Sequence, residues 1–272
     1  MSEWNAMTYE GKDTILRVVR TEAERMFAMA DQTDAWYRPT ACTGWETRDV
    51  IAHIVDTTEG YFRGFDAARG GSPVPDGLGL EIMSRKVDEG ASALRDVPQA
   101  ELMARLKDDF EKMQAILQPL TADEWTGFMV THKYMGPVPA FFYAAGQLMD
   151  YGVHSWDMRQ GSGKAHGLPG DTADLLVPFM FAIWQGTVKP GAVSEPFTIG
   201  VRVSTGSNAG DYRVTVTPDG LTYEPGEIES LPAYIEFDAG SLVLTAFGRG
   251  NFGTIRGDME LGEKYLNLFF RI

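Results

Sequence analysis

The chain has 272 residues, enough for two modest domains, and its 44% hydrophobic and 23% charged residues are ordinary for a soluble globular protein. Its net charge of −14 disfavours binding to nucleic acids and anionic membranes, because an acidic surface repels phosphate groups. One cysteine, Cys42, excludes an intrachain disulfide and a cysteine-rich zinc site, and it fits a reducing cytoplasm. Residues 1–12 lack the apolar segment of a signal peptide, and no apolar run approaches the ~18 residues of a membrane span. We therefore expect a cytoplasmic protein.

The first half of the chain is predicted to be helical. Apolar residues at helical spacing predict one helix over residues 8–30 and a second over residues 47–68. A third is predicted over residues 80–118, with a break allowed near Pro98, and a fourth over residues 137–161. Four helices that can run antiparallel predict a four-helix bundle.

The second half has a different pattern. Residues 171–187 predict one more helix, and after Pro196 the apolar residues alternate in the manner of strands. The predicted strands are 197–203, 212–216, 234–237 and 252–257, and the predicted short helices are 240–247 and 259–270. This half is predicted to be α+β, and we place the two domains at residues 1–165 and 166–272.

Three residues of the first half form a candidate metal site. Two of the four histidines, His53 and His154, lie within apolar helical segments, and Asp150 precedes His154 by one helical turn on the same face. A carboxylate that faces a bundle core is costly unless it is paired or binds a metal. Two imidazoles and one carboxylate leave a coordination position open, which is the pattern of a catalytic zinc site. The same donors can hold Fe(II), Ni or Co.

Less specific interpretations of these residues stay open. A histidine on an apolar helix is more often a hydrogen-bonded core residue than a ligand, and Asp150 with His154 could be an ordinary helix pair. Asp56 or Glu59 could replace Asp150 as the third ligand.

Four other residues complete the set of candidates. Asp157 lies three residues after His154 on the same face, and it is the candidate general base. Cys42 is assigned to packing. His132 is expected in a loop, and His166 is expected at the solvent-exposed surface of a connection rich in glycine and proline.

Two segments of the first half carry motifs. Residues 40–53 read TACTGWETRDVIAH, and residues 150–159 read DYGVHSWDMR. They resemble the entry to the second helix and the fourth-helix motif of DinB-like proteins of the mycothiol-dependent maleylpyruvate isomerase type, over residues 8–160. Residues 255–261, IRGDMEL, followed by Leu268 and Phe269, resemble the end of an SCP2-like (sterol-carrier) domain.

The resemblance implies a DinB-like four-helix bundle followed by a smaller SCP2-like α+β domain. It implies a metal ion, usually zinc, held by His53, Asp150 and His154, although the acid of the family is commonly glutamate. It also implies an arginine on the C-terminal domain that holds an acidic substrate. Arg249 is the candidate by position, and its ordinary interpretation is a surface turn residue.

These observations predict an enzyme with a small-molecule substrate. A metal ion would activate a thiol such as mycothiol for addition to an electrophile, giving cis–trans isomerisation or S-transfer. One alternative is hydrolysis by metal-bound water, with Asp157 as the base. Another is a protein that binds an apolar ligand and holds a structural metal.

Overall fold

The computed structural model describes residues 3–32, 34–71, 76–161 and 167–271, and it divides into two units, Met1–Leu168 and Pro169–Ile272. Within these residues the first unit is a helical bundle with a short hairpin, and the second is a smaller α+β unit. The boundary predicted between residues 165 and 166 lies outside the described residues, as does His166.

The helices of the first unit follow the predicted periodicity, apart from two boundaries and one short helix, Ala122–Gly127, which was not predicted. They are α1 (Lys12–Ala30), α2 (Thr47–Arg69), α3 (Leu80–Leu94), α4 (Gln99–Leu117), α5 (Ala122–Gly127) and α6 (Phe141–Gly161). The segment predicted as one helix over residues 80–118 is two helices, because Pro98 excludes the helical conformation from the residue before it.

A short hairpin precedes α6 and was not predicted. Strand β1 (Met129–His132) pairs antiparallel with β2 (Gly136–Pro139), and Gly136 has a φ of 75°. Pro137 and Pro139 in β2 are atypical strand residues, so the sequence pattern did not predict the hairpin. The last helix of the bundle therefore begins at Phe141 and not near residue 137.

Helix α2 is positioned by its first turn and by its apolar face. Glu46 and Asp49 form a reciprocal capping box, in which the backbone N–H of Glu46 donates to Asp49 Oδ2 at 2.8 Å. The next turn is buried, and Ile51, Ala52 and Ile54 are completely inaccessible. His53 lies within this buried turn and is itself 7% exposed. The apolar packing of α2 thus holds an imidazole inside the bundle.

The second unit begins with α7 (Gly170–Thr187), and its strands are β3 (Phe197–Val203), β4 (Gly210–Thr217), β5 (Gly220–Pro225), β6 (Ala233–Phe237) and β7 (Thr254–Gly257). These strands form one sheet in the order β5-β4-β3-β6-β7. Strands β3 and β6 are parallel, and the other neighbours are antiparallel. The unit also contains the helices α8 (Ala239–Ala246) and α9 (Met259–Leu266).

Strand β5 was not predicted. It follows the turn at Pro218 and Asp219, where Thr217 pairs with Gly220, and it forms one edge of the sheet. Most of its side chains are at least partly exposed, so it lacks the apolar run that reveals a central strand. Among the described residues, no helix has the length and apolarity that crossing a membrane requires.

Candidate metal centre

The side chains of His53, Asp150 and His154 converge inside the helical unit. His53 comes from α2, and the other two residues come from successive turns of α6. His53 Nε2 lies 3.8 Å from Asp150 Oδ1, and the two imidazole rings meet edge to face with centroids 5.2 Å apart. One ligand atom from each residue lies within 4.8 Å of the other two. Metal–ligand bonds of about 2 Å put tetrahedral donors roughly 3.3 Å apart, so small side-chain rotations would close this set around a zinc ion.

Asp150 provides independent support for a cation at this point. Its side chain is 14% exposed, and its Oδ2 atom is buried with no hydrogen-bond partner among the described residues. Burial raises the pKa of Asp150 to about 6, although His154 opposes the shift. A buried carboxylate oxygen without a partner is costly, and a bound cation would remove that cost. The residues present therefore fit a divalent metal ion.

Asp157 lies against the Nδ1 side of the His154 ring. It is completely buried, and its Oδ2 atom is 2.9 Å from His154 Nδ1. Burial alone would lower the pKa of His154, but the hydrogen bonds with Asp157 and Cys42 outweigh it and raise the pKa to about 10 in the polypeptide alone. Because Nδ1 is engaged by Asp157, Nε2 is the nitrogen of His154 that remains for a cation.

The loop before α2 also reaches the site. The Cys42 thiol lies 3.2 Å from Asp157 Oδ2 and 3.8 Å from His154 Nδ1, whereas the sequence assigned Cys42 to packing. The Trp45 ring packs against both imidazoles, with centroids 5.3 Å from His53 and 6.2 Å from His154. The only sequence signal for these contacts was the closeness of Cys42 and Trp45 to His53 along the chain.

The two alternative acids point elsewhere. Glu59 accepts a hydrogen bond from Arg105 at 2.6 Å. The Asp56 carboxylate packs against Gly90 of α3, where an added Cβ would collide with it. Neither belongs to a group of metal-ligating donors among the described residues, so Asp150 is the acid that the structure brings to the histidines.

His132 was expected in a loop and instead ends strand β1, where it is 8% exposed. Its Nδ1 atom accepts hydrogen bonds from the backbone N–H groups of Tyr134 and Met135, both at 3.3 Å. Burial lowers the pKa of His132 to about 4, because it disfavours the charged ring. These contacts indicate a neutral histidine whose hydrogen bonds stabilise the hairpin.

Arg249 belongs to the second unit and follows α8. Its guanidinium donates a hydrogen bond to the Phe247 carbonyl at 3.1 Å, and the residue is half-buried. This position is compatible with a turn residue, and its binding of an acidic substrate stays a prediction.

The fold and the site define a helical-bundle protein with a candidate mononuclear metal centre, followed by an α+β unit. Residues 16–159, more than half of the chain, match the family model of the mycothiol maleylpyruvate isomerase N-terminal domain. The chain therefore belongs to the mycothiol maleylpyruvate isomerase family, as its two motifs predicted, and it is an enzyme of the isomerase class.

Comparison with solved structures confirms the fold class. The chain is similar to the crystal structure of a mycothiol-dependent maleylpyruvate isomerase, with a TM-score of 0.57 at 14% identity, covering 89% of this chain and 90% of that chain. A histidine-to-alanine variant of that isomerase gives the same values. The colibactin self-resistance protein ClbS in complex with double-stranded DNA has a TM-score of 0.48 at 13% identity, covering 57% of this chain and 97% of that chain, too low to bear on function. A search of curated proteins gives no match.

Proposed function

We propose that this enzyme isomerises an acidic, electrophilic small molecule with the help of a low-molecular-weight thiol such as mycothiol and a divalent metal ion. The thiol would add to an activated double bond, and its loss after rotation about the resulting single bond would give the trans isomer. If the thiol stayed, the product would be an S-conjugate. The observation that carries the proposal is the convergence of His53, Asp150 and His154 in a member of this isomerase family.

Zinc is the favoured ion, with Fe²⁺, Ni²⁺ and Co²⁺ as alternatives. The donor group around His53 has three members among the described residues, which leaves a position for one further ligand. An ion held there would lower the pKa of a bound thiol and so supply a thiolate at neutral pH.

The residues around the donors have distinct roles in this proposal. His53 and His154 bind through Nε2, and the Asp150 carboxylate offsets the charge of the cation. Asp157 holds a proton at His154 Nδ1 and fixes the ring tautomer. The Trp45 ring covers both imidazoles and limits the approach of water.

Hydrolysis by metal-bound water has less support. Asp157 was the candidate base, but its Oδ2 atom accepts hydrogen bonds from Cys42 and from the Nδ1 side of His154. A cation bound at Nε2 would lie on the opposite side of that ring. No other observation favours this reaction.

Metal analysis followed by thiol titration tests the proposed centre. The purified protein is expected to contain about one divalent ion per chain, and its Co(II)-substituted form should gain sulfur-to-cobalt charge-transfer bands when mycothiol is added. Turnover of maleylpyruvate should require both the metal and the thiol. Full activity of the metal-free protein, or a cobalt spectrum that thiols leave unchanged, would refute the mechanism.

We further propose that the second unit is an SCP2-like domain whose Arg249 binds the acidic group of the substrate. Arg249→Ala is then expected to raise KM about 10- to 100-fold, the value of a lost charge-assisted contact, with metal content unchanged. Arg249→Lys is the matched control, and it should recover part of the loss. An unaltered KM in the alanine variant would assign Arg249 to the turn alone.

A further inference from the structure

The Cys42, Asp157 and His154 side chains form a second group of potential metal donors, with ligand atoms within 4.8 Å of one another. This group shares His154 with the proposed centre. The imidazole has two nitrogens, and each donor group would place a cation at a different nitrogen of His154. The hydrogen bonds of the three side chains distinguish between them.

The contacts of the two aspartates differ. Asp157 Oδ2 accepts from the Cys42 thiol at 3.2 Å and lies 2.9 Å from His154 Nδ1, so this buried oxygen is satisfied by the polypeptide. Asp150 Oδ2 is buried without a partner among the described residues. The carboxylate that needs a cation is therefore Asp150, and a cation on Asp157 would displace hydrogen bonds that already exist.

The backbone sets the position of the thiol. The Ala41 N–H donates to the Asp157 carbonyl at 3.0 Å, which ties the loop to α6 beside the carboxylate. The turn from Cys42 to Trp45 is closed by a hydrogen bond from the Trp45 N–H to the Cys42 carbonyl at 2.9 Å. Gly44, at a φ of 82°, supplies the left-handed conformation that this turn requires. The backbone hydrogen bonds of the loop thus present the thiol to Asp157.

We propose that Cys42 and Asp157 are positioning residues that hold His154 as a metal ligand, through a hydrogen-bonded relay from thiol to carboxylate to Nδ1. The relay rests on the proposed metal centre. The thiol fixes the carboxylate, the carboxylate keeps the proton on Nδ1, and Nε2 is directed at the cation. Cys42 is not itself a ligand.

Metal affinity, measured by competition with a chelator, is the first test of the relay. Asp157→Asn should weaken zinc binding about 10- to 100-fold, the usual cost of losing such a partner, and Cys42→Ala should weaken it roughly 3- to 10-fold. Cys42→Ser keeps a donor and should remain within about twofold of wild type. Thr43→Ala, at an exposed position of the same loop, is the matched control and should bind zinc as wild type does. Thermal unfolding of the metal-free variants checks that each one folds.

Spectroscopy identifies the nitrogen that binds the ion. Long-range ¹H–¹⁵N spectra of the zinc-bound wild type should show His154 protonated at Nδ1 and metal-bound at Nε2. The Co(II) form without added thiol should lack a sulfur-to-cobalt band. A band that disappears in Cys42→Ser would make Cys42 a ligand, and either this result or a metal-bound Nδ1 would overturn the relay.

The failure of the relay differs from the failure of the proposed function. A wild-type protein that binds no divalent ion would overturn the metal centre and the relay together. If wild type binds zinc and the Asp157→Asn and Cys42→Ala variants bind it equally tightly, the relay alone would be overturned.

Discussion

One buried carboxylate in each unit, Asp174 and Asp150, differs in its hydrogen-bond partners. In the second unit, the sheet residues Ile199, Val201, Val214 and Ile235 are completely buried. Its buried carboxylate, Asp174, accepts backbone hydrogen bonds from Ser207 at 2.7 Å and Asn208 at 3.2 Å. The loop at Ser207 therefore satisfies this carboxylate from within the chain, although the buried Tyr265 hydroxyl of the same unit has no hydrogen-bond partner among the described residues.

Helix α6 of the first unit has buried polar atoms that lack such partners. Among the described residues, no hydrogen bond reaches Gln147 Oε1, Asp150 Oδ2 or the Tyr151 hydroxyl. Each unsatisfied buried group costs about 1–3 kcal/mol, so a fold keeps several together only where something else compensates. The contrast between Asp174 and Asp150 favours a cation beside Asp150 in the first unit, and the predictions below test it.

The largest effect is expected from removing a proposed metal donor in the first unit. His53→Ala should reduce the bound metal to a trace and isomerisation to roughly 1% of wild type or less, because two donors hold a divalent ion poorly. Elemental analysis of the purified protein and an isomerase assay measure both quantities. His132→Asn, which changes a buried histidine outside the donor group, is the matched control and should retain the metal. If His53→Ala kept the metal, His53 would be a core histidine only.

In the second unit, a core substitution should change stability and leave the metal alone. Ile199→Ala removes a completely buried side chain and should lower the free energy of unfolding by about 2–5 kcal/mol. Urea denaturation measures the loss, and chelator competition on the folded variant should give the zinc affinity of wild type. A changed zinc affinity would contradict the division of roles between the two interiors.

Local patterns in the sequence predicted the parts of the molecule that depend on neighbouring residues. The one-turn spacing of Asp150 and His154, and the effect of Pro98 on the helix before it, are properties of short segments. The structure brings the three predicted donors together for this reason, since each faces inward on a helix whose apolar face was readable.

Contacts between distant segments could not be predicted in this way. Cys42 reaches Asp157 across 115 residues of chain, and the choice of Asp150 over Glu59 depends on Arg105 of another helix. The hairpin of His132 includes two prolines, which a search for strand patterns rejects. The misses at Cys42 and Glu59 reflect long-range contacts, whereas the hairpin was missed because proline is rare in strands.

Within the first unit, His132 can be compared with the two histidines of the proposed metal centre, because it is buried and its Nδ1 atom is hydrogen-bonded to the backbone. Its pKa lies near 4 in the native state, against ~6.5 in an unfolded chain. As pH falls from 6.5 towards 4, the ring binds a proton in the unfolded chain but not in the native state. The free energy of unfolding therefore falls by about 3 kcal/mol. His132→Asn keeps an acceptor for the Tyr134 and Met135 amides but cannot be protonated, and it should lack this loss.

Urea denaturation at pH values from 7 to 4 measures this difference. As pH falls across this range, the free energy of unfolding of wild type should decrease by about 3 kcal/mol relative to that of His132→Asn. The side chains packed around the ring are all aromatic, and they are Tyr61, Tyr134, Phe142 and Tyr143. Parallel curves would mean that the ring is protonated equally in both states.

The smallest effect is expected from Asp150→Glu, which asks how closely the first unit is fitted to its ligand. Glutamate is the acid implied by the family resemblance, and it keeps the charge while moving the carboxylate outward by one methylene. We expect zinc affinity within about tenfold of wild type, because metal centres tolerate small shifts of a ligand more readily than its loss. Asp150→Asn is the matched control; it keeps the size and removes the charge, so its zinc affinity should fall much further. If both variants lost the metal equally, metal binding would depend on the position of the carboxylate as strictly as on its charge.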